Sequence, residues 1–382
     1  MNVLVLTADY PPIQGGISAV ALQVSRELTR MGHTVTVVAP FFAGCNELDA
    51  AEPFAVVRFH GYGFGWFRAL FMLRRSLPLI RKADLVLGIN ASHGGVIARL
   101  ARIAYGTPYL TFAYAYEFLR FSRWSPWAAL LRWVYTGARK VVAISTFTRD
   151  NLIRFGVCAD NVAMVLPGAP TPALLSDKEL QLVQRMYALD TRPVILAVGR
   201  FIPRKGHLTL VRALPAVLER FPGAVLVLVG EGPSLPGVVR ESQRLGIREH
   251  VVFPGHVSEH DVAGLYQLCD LFALPTGSDR KGQVEGFGLV FCEAQAYGKP
   301  VIAGRSGGVV DAVIDGETGV LVEPEDPDGL AAAMIRILTD EALAKQLGAA
   351  GRKRVEEELN WGAFTEAMLA AAGIASKDPL DE

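Results

Sequence analysis

Pro193-Val-Ile-Leu-Ala-Val198-Gly-Arg200-Phe-Ile-Pro-Arg204-Lys205-Gly206 contains an unbroken apolar run, a glycine, three cations and a second glycine, and an amphipathic stretch, Leu208–Arg220, follows it. The run shows no polar alternation, as expected of a strand covered on both faces. Strand, loop and helix in that order are half of a βαβ unit. The pattern continues in both directions. Downstream, strands are expected at Ala224–Val229, Val251–Phe253, Leu271–Leu274 and Val301–Ala303, with helices at Leu235–Leu245, Asp261–Leu268, Leu289–Tyr297 and Pro327–Leu338. Upstream, Val3–Leu6, Thr34–Val38, Asp84–Gly88 and Lys140–Ile144 read as strands, and Ile17–Met31 as a helix stopped by Gly32. The fold class is α/β, with parallel sheets wrapped by helices.

The rhythm breaks at Leu166-Pro-Gly-Ala-Pro-Thr-Pro172, which disfavours helix and strand alike and reads as a linker. A length of 382 residues suits two domains. Two doubly wound, Rossmann-like domains facing a central cleft are the simplest architecture, and ligands then belong in the loops that follow strands.

Composition narrows the class. Apolar residues make up 51% and charged residues 20%, which excludes global disorder. Basic and acidic residues balance at 38 each, but residues 1–170 carry 17 basic and 9 acidic side chains, so the first half is basic and the second acidic. Nucleic acid is not the expected partner, because no recognised binding module accompanies the charge. Cys45, Cys158, Cys269 and Cys292 form no CxxC pair, so buried thiols in a reducing cytosol are expected instead of a zinc site or disulfides. Met1–Asp9 reads as a strand and not a leader, and no apolar run reaches 18 residues. The expected location is cytoplasmic.

Three post-strand loops carry candidate chemistry. After the first strand, Gly15-Gly16 opens a helix, which suits a backbone approach by an anion and equally suits a plain turn. Arg200, Arg204 and Lys205 follow a strand end, where a planar guanidinium and a point charge neutralise a diphosphate; the alternative is a solvated surface cluster. In Val284-Glu285-Gly-Phe-Gly-Leu-Val-Phe-Cys-Glu293, a helix starting near Gly288 puts Glu285 in the loop and Glu293 more than a turn inside the helix. The two carboxylates then reach different parts of one elongated ligand. Gly286 and Gly288 free the amides between them for phosphate.

These residues carry a family resemblance. The chain resembles glycosyltransferase family 4, with its two-domain GT-B fold. The matching segments are Pro11-Pro-Ile-Gln-Gly-Gly16, Val198-Gly-Arg200 with Lys205-Gly206, Val229-Gly-Glu-Gly-Pro233, Phe253-Pro-Gly-His-Val257, Glu285 with Glu293, and Gly298-Lys-Pro-Val-Ile-Ala-Gly304 with Gly307-Gly308. The resemblance implies a retaining enzyme. Arg200 and Lys205 would hold the donor diphosphate. Glu285 would touch the sugar hydroxyls beside Phe287, Gly288 and Leu289, and Glu293 would bind the ribose. Gly16 would approach the phosphate, and His256 and Val257 would lie near the base. It divides the chain into an acceptor-side domain 1–168, a linker and start of the second domain 169–190, a nucleotide-sugar domain 191–358, a helix 359–375 crossing back to the first domain, and a frayed tail 376–382. The string from Glu285 to Gly319 is most similar to mannosyltransferases acting on phosphatidylinositol-type lipids. This favours GDP-mannose, with UDP-glucose and UDP-N-acetylglucosamine left open, and a lipid-linked or saccharide acceptor.

One position departs from the family. A histidine often follows the strand near residue 110, but here the segment reads Tyr114-Ala-Tyr116-Glu117, so Tyr114 takes its place and Glu117 matches the acidic residue after it. His93, in Ala91-Ser-His93-Gly-Gly95, either faces the cleft or is structural. Asp326-Pro-Asp328 spells a metal-binding DxD but precedes a helix, where aspartate is a favoured cap, so no cofactor or metal is expected.

Residues 66–82 place Trp66, Leu70, Leu73, Leu77 and Ile80 on one helical face and Arg68, Arg75 and Lys82 on the other, with Pro78 kinking or ending the helix. Residues 120–140 mix Trp124, Trp127 and Trp133 with Arg120, Arg123, Arg132, Arg139 and Lys140. Both fit either an anionic membrane surface or ordinary packing with a solvated basic side. A hydrolysing sugar-nucleotide epimerase of the same fold and a non-catalytic sugar-nucleotide-binding protein are the competing functions.

Overall fold

The computed structural model describes residues 1–13, 15–119, 125–189, 192–279 and 282–374, together with the backbone but not the side chains of Tyr62, Phe64 and Trp66. Gln14, Arg120, Arg123, Trp124 and the tail 376–382 lie outside the described residues, as does the side chain of Trp66.

The chain forms two compact units, 1–167 with 361–382, and 168–360. The first holds β1 (Asn2–Leu6), β2 (Thr34–Pro40), β3 (Ala55–Phe59), β4 (Leu85–Gly88), β5 (Tyr109–Ala113), β6 (Lys140–Ala143) and β7 (Val162–Met164) in the order β3-β2-β1-β4-β5-β6-β7, every pair parallel. The second holds β8 (Val194–Val198), β9 (Val225–Val229), β10 (Val251–Gly255), β11 (Leu271–Leu274), β12 (Val301–Gly304) and β13 (Val320–Val322) in the order β10-β9-β8-β11-β12-β13, again parallel. Every residue of β9 is buried, as its unbroken Val-Leu-Val-Leu-Val sequence requires.

Each sheet reverses its winding at one strand, β1 in the first and β8 in the second. The loops diverge there and leave a crevice beyond the strand ends. In the second unit this sets the loop after β8 beside the loop after β11. These are the segments that carry Arg200, Lys205 and Glu285.

The first and last residues of the second unit pair with each other. Ala169 N–H donates to Leu359 O at 2.9 Å, and a Cβ on Gly168 would lie 2.2 Å from that same carbonyl. Only glycine allows so close an approach. The final helix, Trp361–Ala371, belongs to the first unit, where Phe364 stacks on Phe112 of β5 at 6.3 Å. It begins at Trp361, two residues inside the expected span 359–375, and Trp361 is itself buried.

The helix Arg68–Ile80 corrects only part of the periodicity reading, since Ile80 is buried and Leu73 packs against the core as expected. Met72, Ser76 and Ile80 form its buried row, whereas Leu70 and Leu77 are 61% and 45% exposed. Ser76 turns inward at little cost because its hydroxyl donates to Met72 O at 2.7 Å. Pro78 lies within the helix, which continues to Ile80. In the second basic stretch Trp133 packs against the core with Arg99 over its ring, and Lys140 opens β6. Trp133 therefore does not form part of an exposed aromatic-basic face.

Candidate active site

The loop after β8 is pinned on both sides. Phe201 N–H donates to Glu231 O at 2.8 Å, and Ser234 N–H donates to Phe201 O at 2.9 Å, tying it to the loop after β9. Gly277 N–H donates to Arg204 O at 2.7 Å, tying it to the loop after β11. Pro203–Lys205 forms one 3-10 turn that ends at Gly206, with φ of 75° and a would-be Cβ 2.3 Å from Pro275 O. The glycine meets both demands, a left-handed backbone and contact with the next loop. Arg200 is left exposed while Lys205 is buried.

The buried ammonium meets a carboxylate. Lys205 Nζ lies 2.8 Å from Glu285 Oε2, and Arg204 Nε lies 4.0 Å from the same oxygen. Burial pushes the Glu285 carboxyl up, but Lys205, Arg204 and Arg200 outweigh it and hold it below its ordinary value. Glu285 is therefore a carboxylate at neutral pH. Its backbone is fixed as well: Gly308 N–H donates to Glu285 O at 2.9 Å. Gly286, Phe287 and Gly288 turn the chain into the helix Leu289–Ala296, for which Gly288 is the N-terminal cap, and the Phe287 side chain is buried.

Glu293 sits in the second turn of that helix and accepts from the Tyr266 hydroxyl at 2.8 Å. Burial raises its carboxyl, against the pull of Tyr266 and Lys205. Lys205 thus acts electrostatically on both glutamates. Arg200, Lys205, Glu285 and Glu293 share one locus at the β8–β11 reversal. His256 and Val257 lie off β10, two strands from β8, with His256 exposed.

Sequence reasoning passed over His207. It is buried, and its ring stacks on Phe201 at 4.1 Å and 11°. Burial, then the charge of Lys205, pushes its imidazole down to about 3. It is a neutral packing ring and not an acid or base. Arg204 did appear in the sequence as a third cation; its closeness to Glu285 becomes visible only in the fold.

In the first unit Gly16 opens the helix Gly16–Arg30. Arg58, which the sequence did not flag, braces the preceding loop: it donates to Pro11 O at 2.9 Å and Pro40 O at 2.7 Å while paired to Asp49 at 2.6 Å. His93 is buried in a π-helical turn. Its Nε2 accepts from Arg68 Nε at 2.8 Å, which leaves Nδ1–H to face Ser92 Oγ at 2.9 Å. Glu117 accepts from the Tyr114 amide and the Tyr135 hydroxyl, both at 2.9 Å, across Ala115 with φ of 69°. The Tyr114 hydroxyl is buried and has no partner among the described residues. Burial, then Glu117 and Asp9, pushes its phenol well above the usual value, so it stays neutral. Asp9 is held by Asn90 Nδ2 at 2.8 Å. Asp326 caps the helix Pro327–Thr339, its side chain accepting from the amides of Asp328 and Gly329 at 3.1 and 3.0 Å. The described residues contain no metal-ligand cluster.

Residues 184–354 match the family model of glycosyl transferases group 1, and residues 15–168 match that of the glycosyl transferase 4-like domain. The chain is 32% identical to the GDP-mannose-dependent alpha-(1-6)-phosphatidylinositol monomannoside mannosyltransferase of Mycobacterium tuberculosis, over 94% of this chain and 95% of that one. It is 31% identical to the protein of the same name from Mycolicibacterium smegmatis, over 94% of each. Among solved structures, HepE of Anabaena in complex with UDP and glucose aligns with a TM-score of 0.81 at 20% identity, covering 98% of this chain and 99% of that one. WaaG, a glycosyltransferase involved in lipopolysaccharide biosynthesis, aligns at 0.72 and 18%, covering 98% and 99%.

Proposed function

The chain belongs to the glycosyl transferase group 1 family and is a glycosyltransferase of GT-B fold, and from that footing we propose a retaining hexosyl transfer from a nucleotide-diphosphate sugar, GDP-mannose before other donors, to a lipid-linked acceptor. The supporting observation is the cluster in which Lys205 contacts Glu285 at 2.8 Å within reach of Arg200 and Glu293.

In this reading the bond from the sugar's anomeric carbon to the diphosphate breaks, the acceptor hydroxyl's oxygen bonds to that carbon on the same face, and the hydroxyl proton passes to the departing diphosphate. Negative charge builds on the departing nucleotide, and fixed cations oppose it without reorganising. Lys205 and Arg200 are those cations. Lys205 is paired with Glu285, so in this reading a diphosphate competes for the ammonium and turns the carboxylate toward the sugar hydroxyls. Arg204, 4.0 Å away, keeps the carboxylate ionised through that exchange. The names of the mycobacterial relatives support GDP-mannose and a phosphatidylinositol-mannoside acceptor.

The test is incubation with GDP-mannose and a phosphatidylinositol-mannoside extract, following radiolabel into the lipid phase. Transfer with the anomeric configuration kept supports the proposal. Nucleotide release that needs no acceptor would favour the hydrolysing alternative. Two cations already offset the diphosphate, so turnover is expected to persist in excess chelator. Loss that only magnesium or manganese restores would overturn the metal-free part.

We also propose that the first unit docks on the anionic inner face of a membrane. No described helix is long and apolar enough to cross one. The helix Arg68–Ile80 exposes Leu70 and Phe71 beside Arg74 and Arg75, Phe67 just before it is 68% exposed, and the adjoining helix Val96–Tyr105 exposes Ile103. Each basic residue near an anionic surface contributes about 1 kcal/mol. Arg74→Ser combined with Arg75→Ser is therefore expected to weaken cosedimentation with phosphatidylserine vesicles roughly thirtyfold at low salt. Equal binding of the wild type to neutral and anionic vesicles would refute the docking.

A further inference from the structure

Tyr266 is one of ten tyrosines and lies in the helix Glu259–Leu268, away from every segment that the motifs single out. It is 2% exposed, and three elements converge on it. Its ring stacks on Tyr297 at 5.4 Å and 12°, and lies 5.9 Å from Phe272 of β11. Tyr297 is itself anchored, its hydroxyl donating to Ala173 O at 3.1 Å. The Tyr266 ring therefore has one available position, and in it the hydroxyl points at Glu293 Oε2, 2.8 Å away.

We propose that Tyr266 is a positioning residue for Glu293: its fixed hydroxyl occupies one carboxylate oxygen and turns the other toward the vicinal diol of the nucleotide's ribose, so that the pair and not the glutamate alone discriminates ribose. This rests on the reading that Glu293 binds ribose. The geometry favours it over simple packing. A tyrosine needed only to fill space between Tyr297 and Phe272 has no reason to end on a carboxylate, and a carboxylate on a helix side has two oxygens and free rotation unless one is held. Burial, then the charge of Glu293, keeps the proton on the phenol, so Tyr266 is the donor and Glu293 the acceptor. Oε1 has no partner among the described residues and is the atom left to accept from a diol. Glu259 and Lys205 are the other charges acting on this carboxylate.

The experiment measures, by calorimetry, the affinities of GDP and 2′,3′-dideoxy-GDP for the full chain, with the UDP pair substituted if UDP binds wild type more tightly. Wild type is expected to prefer the ribonucleotide at least tenfold. Tyr266→Phe should cut that preference about fivefold while leaving the dideoxy affinity within twofold, and Glu293→Gln should cut it at least as much. The double variant should lose no more than Glu293→Gln alone, because both act through one contact. Tyr297→Leu, which keeps the hydroxyl but frees the ring, should give a smaller loss in the same direction, and it carries the test if Tyr266→Phe does not fold. If Glu293→Gln loses the preference and neither tyrosine variant changes it, the positioning role is wrong and the ribose reading stands. If Glu293→Gln keeps the preference, the ribose reading fails and takes this proposal with it. Equal weakening of both nucleotides by Tyr266→Phe would mean a purely structural tyrosine and overturn the proposal.

Discussion

Lys205→Ala is expected to lower kcat/KM by roughly a hundred- to a thousandfold, the range seen when one fixed donor is withdrawn from a site of developing negative charge. The same change leaves Glu285 in a buried position with its ion-pair partner gone. Breaking a buried pair from one side costs about 3–5 kcal/mol. Arg204 at 4.0 Å offsets part of this, so the variant is expected to fold with a lowered Tm. The stability loss has a pH signature. The folded Glu285 carboxyl is held below its ordinary value, so its contribution is present above the unfolded-chain value, about 4.3, and vanishes as pH falls through the folded value. Wild type and Lys205→Ala should therefore differ most in Tm at neutral pH and converge in acid. Steady-state kinetics with a calorimetric pH series measures both effects. Unchanged turnover would remove the diphosphate role from Lys205, and a pH-independent Tm gap would remove the ion pair from the stability account.

Glu285→Gln should separate binding from turnover with opposite signs. The amide keeps the shape of the side chain but loses the charge that occupies Lys205. Freed of its internal partner, Lys205 is more available to a diphosphate, and affinity for GDP or UDP is expected to rise about threefold to tenfold, a change of about 1 kcal/mol. The sugar loses its charged acceptor, and kcat is expected to fall roughly a hundredfold. A variant whose nucleotide affinity and kcat fall together would show that Glu285 serves mainly to hold the loop in place.

Much of this site is legible in the chain itself. The glycine at 288, followed by an apolar run, marks a helix entrance, and that places Glu285 before the helix Leu289–Ala296 and Glu293 within it. Asp326 before Pro327 identifies a cap for the same local reason. The helix Arg68–Ile80 was misread because apolar residues surround it on most sides. Periodicity then offers two plausible buried rows, and the neighbouring sheet selects the one with Ser76. Arg58 and Tyr266 leave no local mark, since each acts on a segment far away in the sequence, Pro11 O and Glu293, and His207, though only six residues from Phe201, is buried by the packed sheet and not by any local pattern.

The amino-acid order alone determined the alternation of strand and helix, the loops that carry charge and the two-domain class, because each depends on backbone preferences and burial periods spanning a few residues. Tertiary structure decided which loops became neighbours. The reversal of strand order at β8 brought the loop of Lys205 against the loop of Glu285, and no local preference encodes that adjacency. It arises when whole helices and strands compete for the same buried faces, so the pairing of ammonium with carboxylate is a property of the packed sheet and not of either segment.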